Sequence, residues 1–135
     1  SPFEEITVGT GRCLRAGTDV AVITLGPIGN DVAELLDEMQ GTKQVAHYDL
    51  RFVKPLDENL LQDIGRKFNK IITIEDGVRN GGMGSAVLEW MSDHGFRPQI
   101  VRMGLPDAFV EHGSVAQLRK LVGLDADSIR KEIEA

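Results

Sequence analysis

Polar and apolar positions alternate between two periods along this chain, and the changes of period mark its elements. Asp19 to Leu25 (DVAVITL) leaves little polar surface at Val20, Val22, Ile23 and Leu25, as a strand buried on both faces does. Gly26-Pro27-Ile28-Gly29 breaks the run, and Asn30 or Asp31 is then read as the cap of a helix running to about Met39. That helix buries Val32, Ala33, Leu35, Leu36 and Met39, and Gly41 ends it. Gln44 to Leu50 is a weaker strand because His47 and Asp49 interrupt it. Asp57 is a good N-cap for a helix carrying Leu60, Leu61, Ile64 and Phe68.

The stretch from Lys70 to Met91 organises the rest. Ile71, Ile72, Thr73 and Ile74 form a β-branched strand that ends at Glu75 and Asp76. Gly77, Gly81, Gly82 and Gly84 follow, and Met83, Ala86, Val87, Trp90 and Met91 then fall on one helical face up to His94-Gly95. Gln99 to Met103 predicts a further strand and Gly104 to Asp107 a turn. Helices are expected from Ser114 to about Val122 and after Asp125, the second with Ile129 and Ile133 inward. Before all of these, Ile6 to Val8 and Arg12 to Arg15 alternate as a weak strand or hairpin. Strands alternating with helices predict an α/β fold with a mainly parallel sheet of about five strands, covered on both faces, with room for one antiparallel edge strand. The carboxyl edge then gathers 26–30, 49–54, 75–85 and 104–107.

The 135 residues suit a single domain, 1–135. Fifteen Lys and Arg against 21 Asp and Glu give a net charge of −6 with the basic residues scattered, which disfavours nucleic acid as a partner. No apolar run is long enough to cross a bilayer, so no membrane association is expected. Cys13 is the sole cysteine, which excludes a disulfide framework and a multi-thiolate metal site and is consistent with a reducing, cytoplasmic setting. The chain starts Ser1-Pro2-Phe3, without an initiator methionine or secretory pattern, and is expected to be a piece of a longer enzyme.

Motifs for chemistry are incomplete. The glycine-rich turn lacks the lysine of a phosphate loop, and Gly82-Met83-Gly84-Ser85-Ala86-Val87 supplies only two glycines of a dinucleotide fingerprint. Glu75 and Asp76 would also repel a phosphate. Gly84-Ser85-Ala86-Val87 is not a nucleophile elbow, and Ser85 reads as a helix N-terminal hydroxyl. Glu75 and Asp76 are expected to cap a helix or bond across a domain contact rather than hold a metal, since neighbours on a strand face opposite ways. His47, His94 and His112 read as surface or capping groups. Arg51, Lys54, Arg79 and Arg102 lie near the sheet edge, where they can receive an anion or pair with Glu75, Asp76 and Asp107. Met83, Trp90 and Met91 are core or interface residues.

Four segments, in order, carry a family resemblance: Arg51-Phe52-Val53-Lys54-Pro55-Leu56-Asp57, Thr73-Ile74-Glu75-Asp76-Gly77, Gly81 to Val87 (GGMGSAV), and Gly104 to Gly113 (GLPDAFVEHG). Over nearly its whole length the chain resembles the C-terminal domain of the 1-deoxy-D-xylulose-5-phosphate synthase family. More broadly it resembles the transketolase C-terminal domain of thiamine-diphosphate enzymes. The resemblance implies a three-layer α/β/α domain with a mixed five-stranded sheet. It implies a parent enzyme that decarboxylates pyruvate on thiamine diphosphate and joins the two-carbon unit to glyceraldehyde 3-phosphate, for isoprenoid and for thiamine and pyridoxal precursor synthesis. In that family thiamine diphosphate and magnesium sit in the preceding domains. The resemblance therefore implies no catalytic, cofactor-binding or metal-binding residue here and no activity for the domain alone. Its implied partners are the preceding domains and the second subunit of a homodimer, with candidate interface residues Lys54, Glu75, Asp76, Arg79, Gly81, Gly82, Gly84 and Asp107. The alternative is an anion- or nucleotide-binding regulatory module that uses the amides from Gly77 to Ser85.

Overall fold

The computed structural model describes residues 10–26, 28–39, 43–51, 55–75, 82–104 and 129–135, and every structural statement below concerns those residues. The apolar runs form the strands that their period predicts: β2 (Val20–Leu25), β3 (Val45–Asp49), β4 (Lys70–Glu75) and β5 (Gln99–Gly104), with β1 (Arg12–Arg15) before them. They join in the order β1-β3-β2-β4-β5. All neighbours run parallel except β1, which lies antiparallel on β3 at the edge. The expected mixed five-stranded sheet is therefore present.

Helices fill the crossovers that parallel pairing demands. They are α1 (Ile28–Glu38), α2 (Glu58–Lys67) and α3 (Met83–Asp93), with a further helix, α4, over 129–134. On one face of the sheet Val20, Val22, Val45, Ile72 and Ile74 pack against Val32, Leu35 and Leu36 of α1 and Ile129 and Ile133 of α4. On the other, Ala21, Ile23, Ala46, Tyr48 and Ile71 meet Leu61 and Ile64 of α2 and Met83, Val87 and Met91 of α3. This is the three-layer α/β/α arrangement. Period-2 alternation divides each strand between two cores, which is why β2 and β4 read as continuous apolar runs.

Asp57 caps α2 as predicted. One carboxylate oxygen accepts from the Leu60 amide at 3.0 Å and the other from the Gly11 amide at 3.0 Å, tying the segment before β1 to the helix start. The expected start of α1 needs correction. The helix begins at Ile28, not after a cap at Asn30 or Asp31, and Asp31 lies in its first turn. The Gly29 amide donates to the Gly26 carbonyl, so the tight turn at Gly26 (φ 87°) launches the helix directly. His94 closes α3 as a capping group, its Nδ1 2.8 Å from the Trp90 carbonyl oxygen. The expected elements at 6–8 and 114–122 lie outside the described residues.

Candidate functional site

The strand order reverses between β2 and β4: the chain moves outward through α1 to β3, then crosses back through α2 to β4 and on to β5. In sheets of this kind ligands and partners meet the crevice outside the carboxyl ends of the strands at such a reversal. Here that point lies between Leu25 and Glu75, which are paired across the two strands. The first turns of α1 and α3 rise from it on opposite faces of the sheet.

Both helix starts are seated in the same way. A methyl group added at Gly84 would lie 2.8 Å from Thr73 Oγ1 and 3.1 Å from Arg102 Cγ. One added at Gly29 would lie 2.9 Å from Thr24 Oγ1. Each glycine thus lets a helix approach a buried strand threonine more closely than any other residue allows. The α3 start is also capped from the sheet: Glu75, half-buried at the end of β4, accepts from the Gly84 amide through Oε2 at 3.3 Å. A carboxylate there satisfies one of the helix's orphan donors and complements its dipole. It also repels a second anion from that amide. Beside it Arg102 Nη1 donates to Ser85 Oγ at 3.1 Å.

Beneath the α1 start lies a buried polar pair, Thr24 and His47, of which His47 departs from expectation. His47, expected at the surface or as a cap, is fully buried in the middle of β3. Its Nε2 shares a hydrogen bond with Thr24 Oγ1 at 2.8 Å, while Nδ1 has no partner. Burial pushes its pKa down from 6.5 to about 4; the Asp49 carboxylate opposes that shift and Arg15 adds to it. A neutral, enclosed imidazole is a core group. At the end of the same strand Arg51 takes a left-handed conformation (φ 63°), held by a 3.0 Å hydrogen bond from its amide to Asp49 Oδ1.

Of the candidate interface residues, the structure brings together Glu75, Gly82 and Gly84 at the start of α3, Gly82 as its N-cap. Lys54, Asp76, Arg79, Gly81 and Asp107 lie outside the described residues, as do His112 and the turn from 76 to 81. Met83, Trp90 and Met91 are core. Trp90 stacks on His94 with ring centres 4.0 Å apart and donates through Nε1 to Glu58 at 3.1 Å. Among the described residues no three His, Cys, Asp or Glu side chains gather in a way that could hold a metal ion. None of the described helices is long and apolar enough to cross a membrane.

Comparison with known proteins agrees with this architecture. The family described as transketolase, C-terminal domain, matches residues 9–129. The chain is 55% identical over 134 residues to the 1-deoxy-D-xylulose-5-phosphate synthase of Bacteroides thetaiotaomicron, covering 98% of this chain and 21% of that protein. It is likewise 55% identical, with the same coverage, to the enzyme of the same name from Bacteroides fragilis. The chain thus spans about a fifth of the length of these relatives. A solved structure described as a split-gene transketolase, inactive beta4 tetramer, superposes with a TM-score of 0.82 at 28% identity, over 99% of this chain and 45% of that one. The resemblance carried by the four sequence segments holds, and the chain belongs to the transketolase C-terminal domain family.

Proposed function

We propose that this chain is the C-terminal structural and dimerisation domain of a 1-deoxy-D-xylulose-5-phosphate synthase. The full-length form of that cytoplasmic transferase condenses pyruvate with glyceraldehyde 3-phosphate on thiamine diphosphate, for isoprenoid and for thiamine and pyridoxal precursor synthesis. The observation that carries the reading is the 55% identity to synthases of which the chain spans only 21%, so the remaining four fifths are available for the chemistry. The preceding domains of the same enzyme and a second subunit are its partners, and the start of α3 is the surface offered to them. Glu75 and Gly82 belong to that surface and the buried Gly84 seats the helix beneath it, with Lys54, Asp76, Arg79, Gly81 and Asp107 proposed beside them.

The start of α3 does not suit thiamine diphosphate. A diphosphate with its magnesium calls for free amides, cations and metal-binding carboxylates, whereas the α3 amide here faces Glu75. In this reading the cofactor lies in the preceding domains, as in the family the chain resembles, and this domain acts by packing. The same carboxylate disfavours the alternative of an anion-binding module.

The test compares the full-length enzyme with the 135-residue chain for turnover of pyruvate and glyceraldehyde 3-phosphate and for thiamine diphosphate binding by calorimetry. The full-length protein is expected to do both and the chain alone neither. Turnover by the chain alone would overturn the structural role, and a full-length enzyme inert toward these substrates would overturn the synthase assignment.

A further inference from the structure

We draw no further inference here: the strongest candidate, the crevice between the first turns of α1 and α3 at the carboxyl ends of β2 and β4, belongs to the site already described, because Glu75 occupies the Gly84 amide and the buried Thr73 hydroxyl is sealed beneath Gly84.

Discussion

Gly84 and Thr73 form a contact whose energetics run against helix propensity. Alanine is favoured over glycine inside a helix by about 1 kcal/mol, so a first-turn Gly84→Ala change looks stabilising from sequence alone. The 2.8 Å approach to Thr73 Oγ1 reverses the sign, because Thr73 is fully buried and has little space in which to turn aside. Overpacking of this kind costs about 1–3 kcal/mol. Gly84→Ala is therefore expected to lower the urea midpoint. Adding Thr73→Ala, which removes the opposing hydroxyl and methyl, should recover part of the loss as a coupling in the double-mutant cycle. Strictly additive losses would show that the clash is relieved elsewhere. His47 makes the second residue-scale prediction. Its pKa is about 4 in the folded chain against 6.5 when unfolded, so between these values the unfolded chain binds the extra proton. The resulting stabilisation is complete above pH 6.5, falls as the pH drops and is gone below about 4. That difference corresponds to on the order of 3 kcal/mol. The stability difference between the native chain and His47→Asn, which cancels the other carboxylates and histidines, should shrink by about that much from pH 7 to pH 4. A difference independent of pH would mean that His47 is not enclosed as described.

At the scale of elements, Lys70 ties a strand to a helix distant in sequence. It is buried at the start of β4, and its Nζ donates to the Glu132 carbonyl in α4, with the Ala135 carbonyl 3.5 Å away. A cation at the carboxyl end of a helix satisfies carbonyls that have no partner within it and complements the dipole. Lys70→Met keeps the length of the side chain and removes the donor. It is expected to cost about 1.5–3 kcal/mol and to raise amide exchange in 129–134 ahead of the sheet. Unchanged exchange there would show that Ile129 and Ile133 hold the helix unaided. Sequence reading found the elements but not ties of this sort, and the reason is physical. Strands β2 and β4 were legible because burial on both faces demands unbroken apolar runs, and α2 because Asp57 is both a polar N-cap and the last residue before the periodic stripe. The start of α1 was misread because a glycine turn, and not a side-chain cap, launches it. Lys70 and Glu132 are 62 positions apart and His47 and Thr24 are 23 apart, so nothing local marks either side chain as enclosed. Glu75, Gly82 and Gly84 were legible as a group because they flank one change of period.

At the scale of the molecule, the two cores share β2, β3 and β4, and this sharing determines how the chain should unfold. Each of those strands sends alternate residues to opposite faces, Val22 and Ile72 toward α1 and α4, Ile23 and Ile71 toward α2 and α3. Neither core can come apart without stripping one side of the same strands. We therefore expect the chain to fold on its own and to unfold in a single cooperative transition. Two cavity-forming substitutions test this, Ile133→Ala on one face and Leu61→Ala on the other, both fully buried. Each should cost about 2–5 kcal/mol, and each should move the tryptophan fluorescence of Trp90 and the far-ultraviolet circular dichroism together. Trp90 belongs to the α2–α3 face, so its response to Ile133→Ala is the decisive readout. If that substitution lowers the dichroism midpoint and leaves the fluorescence midpoint in place, the faces melt separately. The shared strands would then not couple them, and the ability of the chain to fold on its own would need another basis.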